Sequence, residues 1–138
     1  MKGTRLQLEN VDFRVDQERA RCSADVLLQL DMFEYTGHFE AGIEEPPLRV
    51  IATATFDAIN KALSASVGKT MEVALCTVGR MDPVFMDLPI FIVIVDVKLG
   101  ERMVKPAGAV IAEHYDAYYA AAAASLDAVN RIVEKMLI

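Results

Sequence analysis

Apolar and polar positions alternate from near the start of the chain. Leu6 and Leu8 open a period-2 row that Val11, Phe13 and Val15 continue, with the phase slipping at Asn10. A strand with a bulge accounts for the slip, because one extra residue sends the following side chains to the other face. Asp16-Gln17-Glu18-Arg19 reads as a turn, after which Ala20, Cys22, Ala24, Val26, Leu28 and Leu30 form an unbroken row opposite Ser23, Asp25 and Gln29. This second strand has one wet face. A tight connection near Asp31-Met32 leads to Phe33, Tyr35, Gly37, Phe39 and Ala41, with Glu34, Thr36, His38 and Glu40 facing out. The pattern predicts a three-stranded antiparallel meander.

The period then changes from two to that of a helix. Gly42-Ile43-Glu44-Glu45-Pro46-Pro47 breaks the alternation; Pro47 suits a first helical turn, and Glu44 and Glu45 stand near the positive end of the helix dipole. Ile51, Thr55, Ile59 and Ala62 follow at helical spacing, and Gly68 is a natural stop. The second half repeats this order. Met71, Val73 and Leu75 alternate in a fourth strand, 79–83 turns, and 90–95 is apolar on both faces, as in a strand covered on both sides. Pro89 marks a strand start, a bulge or an edge. Leu99-Gly100-Glu101-Arg102 gives a hairpin, 103–112 a sixth strand containing Gly108, and from His114-Tyr115-Asp116 a last helix runs to the end.

Both helices carry one phrase. Ala54-Thr55-Phe56-Asp57-Ala58-Ile59-Asn60-Lys61 and Ala124-Ser125-Leu126-Asp127-Ala128-Val129-Asn130-Arg131 match residue type for residue type, 70 positions apart. A constant offset of about half the chain indicates a duplicated unit. The expected fold is therefore α+β: two β-β-β-α repeats, about 1–67 and 68–138, related by a pseudo-twofold and sharing one core, with antiparallel strands packed on a helix layer. At 138 residues a single domain is expected. Asp57 and Asn60, with Asp127 and Asn130, share a helical face, where their polar groups can bond backbone or a partner helix, or contact a ligand directly.

In the last helix Ala117, Ala121, Ala124 and Ala128 form a small-residue stripe, beside a bulkier face of Leu126, Val129, Val133 and Met136. A helix apolar over so much of its circumference is covered on more than one side. The stripe reads as a subunit interface; the alternative is that alanine serves helix propensity alone. Composition adds weight to an oligomer. Hydrophobic residues make up 54% before glycine is counted, against roughly 45–50% with glycine in ordinary soluble chains.

A net charge of −6 and scattered basic residues exclude a phosphate-binding stripe, so nucleic acid is not an expected partner. The longest apolar runs, 88–95 and 117–126, are too short for a bilayer, and the N-terminus lacks a signal-peptide block; a cytoplasmic chain without membrane contact is expected. Cys22 and Cys76 sit alone in alternating patterns and read as buried free thiols. No nucleophile-base set, phosphate loop or metal-ligand cluster is visible, so neither an enzyme nor a cofactor is expected. Asp82 and Asp87 make a weak acidic pair, and His38 lies on a wet strand face. Glu113, His114, Tyr115 and Asp116 gather at a helix N-terminus, where backbone N–H groups can hold an anion or Asp116 can cap the helix. With Glu44 and Glu45 they are the candidate ligand contacts.

The closing helix, Asp116-x-x-x-Ala120-x-x-x-Ala124-Ser125-x-x-Ala128-x-Asn130-Arg131, resembles that of the LeuA-type C-terminal regulatory domain of 2-isopropylmalate synthases and their citramalate and homocitrate synthase relatives. The layout of three strands and a helix, twice over, is similar to that domain along the whole chain. The resemblance implies a dimerising domain that binds an amino acid near the junction of its two units, here freestanding, without the catalytic barrel. Where that family opens its first helix with Gly-x-Gly-Pro-(Val/Ile)-Asp-Ala, this chain has Gly42-Ile43-Glu44-Glu45-Pro46-Pro47-Leu48. The expected function is a regulatory, small-ligand-binding homodimer. The alternative is an adaptor whose Ala-rich helix layer docks another protein.

Overall fold

The alternating rows fold as strands and the two repeated phrases as helices. The computed structural model describes residues 5–67, 71–112 and 116–136. In order come β1 (Gln7–Asp16), β2 (Arg21–Leu30), β3 (Phe33–Gly42), α1 (Pro47–Val67), β4 (Met71–Met81), β5 (Ile90–Leu99), β6 (Arg102–Val104), β7 (Ala107–Ile111) and α2 (Ala117–Met136). The fold is α+β, with two antiparallel sheets and two helices. β1-β2-β3 is the first sheet; β4-β5-β6, with β7 also on β5, is the second.

Two bulges set which side chains face the core. The β1–β2 register shifts between Leu8 and Asn10, as the phase slip predicts. β4 shifts against β5 between Leu75 and Thr77. This second bulge corrects the reading of Cys76: the extra residue takes it out of the alternation, and it is exposed, whereas Cys22 is buried. β4 also runs on to Met81, so the turn expected at 79–83 begins later.

The strand expected over 103–112 is interrupted at Lys105-Pro106, where proline has no N–H to give the ladder. Its two parts nevertheless share one register along β5. Val97 pairs with Val104 and Ile94 with Ala107, equal steps on both strands, and the Pro106 carbonyl still accepts the Val95 N–H at 3.0 Å. The buried row of β2 begins at Cys22, not at Ala20, which closes the first hairpin with a positive φ of 51°.

α1 packs on β2, β3 and β4, α2 on β5, β7 and β1, and the helices touch each other. Each helix thus spans the open seam between the end strand of one sheet and the end strand of the other. The core lies between them: β2 contributes Ala24, Val26 and Leu28, β5 contributes Phe91, Val93 and Val95, and both helices bury their apolar faces. The Ala stripe is part of this core. Ala121, Ala124 and Ala128 are buried by the chain's own sheet and Ala117 is half-buried, so the stripe itself is not exposed for a subunit interface. Small residues are needed there for close approach: a Cβ on Gly108 would fall on the Ala124 carbonyl and the Ala128 nitrogen. The same holds for Gly37 of β3, against Ala54 and Ala58 of α1. No described helix is long and apolar enough to cross a membrane.

Candidate functional site

The polar residues of the repeated phrase bond strand backbone at the seams. Asp57 Oδ2 accepts the His38 N–H at 2.9 Å, and Asp127 Oδ2 accepts the Ala109 N–H at 3.0 Å. Each contact lies one residue after the crowded glycine. The asparagines reach across to the other sheet. Asn60 accepts the Val73 N–H (3.0 Å) and donates to the Val73 carbonyl (2.9 Å); Asn130 does the same to Leu6, at 3.1 and 3.3 Å. A carboxamide carries the same donor and acceptor as a peptide group, so each asparagine stands in for one residue of an absent neighbouring strand. Thr55 and Ser125, both buried, turn their hydroxyls back to the carbonyls of Ile51 and Ala121.

The α1 seam is open beside these bonds. A cleft of about 490 Å³ lies between β3, α1 and β4, walled by Phe39, Phe56 and Leu75 and carrying the polar groups of His38, Arg49, Thr53 and Asp57. A second, of about 460 Å³, continues past Asn60 and Val73 to Glu72, Asp96 and Lys98. The two share Asn60, Val73 and Ala74. Cation and anion stand close together in the first: Arg49 Nε bonds Glu45 at 3.3 Å, while Asp57 also meets Lys61 at 3.2 Å. His38 Nδ1 lies 2.8 Å from Asp25. At the margin of the second cleft Lys105 pairs with Asp96 and sits 3.9 Å from Cys76 Sγ. The hydrogen bond and charge of Asp96, with a smaller effect of Cys76, raise the Lys105 pKa above the ordinary lysine value.

Aromatic residues stand at the α2 seam. Tyr119 Oη donates to the Leu8 carbonyl at 3.4 Å, and the Tyr118 ring tilts against Phe13 at 5.0 Å. At the offset of 70, Tyr119 answers to Arg49 and Ala123 to Thr53. The α1 cleft is thus lined both by Asp57 and Asn60, which the two helices share, and by Arg49 and Thr53, where they differ.

Of the residues expected to contact a ligand, Glu113, His114 and Tyr115 lie outside the described residues. Asp116 caps α2, its Oδ1 accepting the Tyr119 N–H at 2.7 Å. Glu44 and Glu45 lie in the turn before α1 and line neither cleft, but Glu45 reaches the seam through Arg49. The sequence reading missed Arg49, Thr53 and Phe39; comparing the two helices for their differences, instead of their matches, singles out the first two. Among the described residues no group of three or more His, Cys, Asp or Glu is placed to hold a metal. No protein-family model matches the chain, and no curated protein matches its sequence.

Proposed function

We propose that this chain is a non-catalytic regulatory module, related to the LeuA-type regulatory domain, that binds a small amphipathic metabolite in the α1 seam and works as a homodimer. Its two halves are copies of one β-β-β-α unit about a pseudo-twofold. The constant offset of the phrase supports this, as do the matched contacts of Gly37 and Gly108, Asp57 and Asp127, and Asn60 and Asn130.

The observation that carries the ligand reading is the asymmetry of the seams. The two helices agree in the Asp, Asn and hydroxyl contacts of the phrase and differ at Arg49 against Tyr119 and Thr53 against Ala123, where the α1 seam carries a cleft and the other seam carries Tyr118 and Tyr119. The open cleft falls within the roughly 300–1,000 Å³ of ordinary small-molecule sites. Arg49 offers a cation for a carboxylate, Asp57 an anion for an ammonium, and Phe39, Phe56 and Leu75 an apolar wall. A branched-chain amino acid has these three parts. Cation and anion here serve binding, and the Thr53 hydroxyl in the cleft bonds the Arg49 carbonyl, so the expected output is a change in stability or association and not a reaction.

Thermal melts of the wild type and Arg49→Ala with leucine, isoleucine, valine and their deaminated 2-oxo acids test the reading. A ligand at 100 times its Kd stabilises by about 2.7 kcal/mol through linkage. An upward shift with an amino acid that Arg49→Ala abolishes supports the site; flat melts at millimolar concentration of every compound would sink it.

A further inference from the structure

One stripe of α1 runs the length of both clefts. Arg49, Thr53, Phe56, Asn60 and Ser64 follow at steps of four, three, four and four, which brings all of them to one side of the helix. The first four line the cleft at Phe39 and Leu75, and the last two line the one at Glu72 and Lys98. The clefts meet at Asn60, Val73 and Ala74, so they are two chambers of one groove. At 1.5 Å per residue the helix rises about 16 Å from Arg49 to Asn60 and about 22 Å to Ser64. A free amino acid fills one chamber of such a groove and leaves the other empty.

The wall opposite the helix suits an extended chain. β4 is the end strand of its sheet, and the peptide groups of Val73 face away from β5, toward Asn60. Orientation alternates along an antiparallel strand, so the Leu75 peptide groups face the same way, into the first chamber. An end strand presents such groups as a template for another extended backbone. The two ends of the groove differ in charge. In the first chamber Asp57 is held by the His38 N–H and by Lys61. Arg49 gives its Nε to Glu45, and its two Nη groups remain as a fork for a carboxylate. In the second chamber Asp96 is held by Lys105, whereas Glu72 has no hydrogen bond or ion pair among the described residues, although Lys98 stands directly opposite it. The groove thus keeps a cation at one end and an uncommitted carboxylate at the other.

We infer that the ligand of this groove is a free oligopeptide of about five to seven residues, its terminal carboxylate on Arg49 and its terminal ammonium on Glu72. This rests on the α1 seam being a ligand site, as proposed above, and names the class of ligand. The length follows from the rise of the helix. An extended chain advances about 3.3 Å per residue, so about five residues cover the distance from Arg49 to Asn60 and about seven reach Ser64. A charge for each end selects a peptide with both termini free over the tail of a larger protein, whose amino end lies elsewhere. Phe39, Phe56 and Leu75, in the chamber of Arg49, take an apolar side chain at the carboxyl end.

Isothermal titration calorimetry of the full chain with leucine, alanyl-leucine and the pentapeptide tetra-alanyl-leucine tests the inference. The pentapeptide should bind at least about 10-fold more tightly than leucine or the dipeptide. Amidation of its carboxyl end and Arg49→Ala should each weaken it by about 10-fold or more. Acetylation of its amino end should weaken it by about 5-fold or more in the wild type and not at all in Glu72→Gln, a coupling that a merely structural glutamate would not show. The dipeptide, too short to reach Glu72, should not respond to acetylation. A pentapeptide no tighter than leucine, or one indifferent to amidation or to acetylation, overturns the inference; the seam then stands as an amino acid site if Arg49→Ala still abolishes leucine binding. Silence of all three ligands overturns both readings. A pentapeptide bound through Arg49 while leucine is silent supports the inference and replaces leucine as the ligand.

Discussion

Asn130 and Leu6, 124 positions apart, exchange two hydrogen bonds inside the protein. Leu6 continues the free edge of β1, and an edge strand that enters the interior must find partners for the peptide groups it turns away from its sheet. A carboxamide supplies donor and acceptor in one side chain, so the end of the sequence closes the beginning. Asn60 does this for Val73 at the other seam.

Removing either carboxamide leaves an N–H and a carbonyl unpaired, which costs about 1–3 kcal/mol for a buried group. Asn130 is only 5% exposed, whereas the Asn60 bonds are part-buried. Asn130→Ala should therefore lower the urea midpoint more than Asn60→Ala. Asn130→Asp, which keeps the acceptor and loses the donor, should fall between wild type and Asn130→Ala near neutral pH only if the added charge is tolerated; a midpoint below that of Asn130→Ala would mean that the charge costs more than the restored bond returns. Ser125→Ala is the contrasting case. Its hydroxyl bonds a carbonyl of its own helix, alanine is the better helix former, and the expected change is under about 1 kcal/mol.

Glycine substitutions should separate the seams from the open strands. A Cβ at Gly37 would lie 2.5 Å from the Ala58 nitrogen and 2.8 Å from its Cβ, and one at Gly108 would lie 2.9 Å from the Ala128 Cα, whereas at Gly79 nothing stands within 4 Å. The neighbours at the first two positions are helix backbone, so the helix itself must move. Gly37→Ala and Gly108→Ala should each destabilise by about 1–3 kcal/mol or more; Gly79→Ala, on a strand, should be neutral to slightly stabilising. Equal midpoints for the three variants in urea would contradict the close approach.

These two sets of contacts also mark what the sequence made legible. Period-2 rows gave the strands, the slip at Asn10 gave a bulge where one is found, and the repeated Asp and Asn were expected to bond backbone. Coverage was not legible, because an apolar residue looks the same whether its own chain or another covers it. The Ala stripe read as an interface for that reason, although Gly108 creates the space that it fills from within. Ile90, Ile92 and Ile94 present the opposite case, since full coverage was expected and the chain leaves them half-buried. The cleft was hidden because the phrase points to what the two helices share, while Arg49 and Thr53 stand where they differ.

Alkaline titration should single out Lys105. The Asp96 carboxylate raises its folded-state pKa, so the pair stabilises fully below the ordinary lysine value of about 10.4 and loses that contribution as pH rises through the higher folded value. In a ¹³C titration followed at the lysine Cε, Lys105 should deprotonate at lower pH in Asp96→Asn than in the wild type. An unchanged Lys105 titration in Asp96→Asn would show that the pair does not persist in solution.

The difference between the seams can be tested by exchanging it. Arg49→Tyr with Thr53→Ala gives α1 the residues that α2 carries at 119 and 123. If the cleft is open because of these two side chains, the tyrosine ring should fill it against Phe39 and Leu75, burying apolar area at about 25 cal/mol per Å². The double variant should then melt at or above the wild-type temperature while losing any stabilisation by an amino acid. Loss of response alone could come from damage, and a higher melting temperature alone from an unrelated surface effect. The two together require that the ligand and the ring compete for one space; a variant that keeps its ligand-induced shift places the binding site outside this seam.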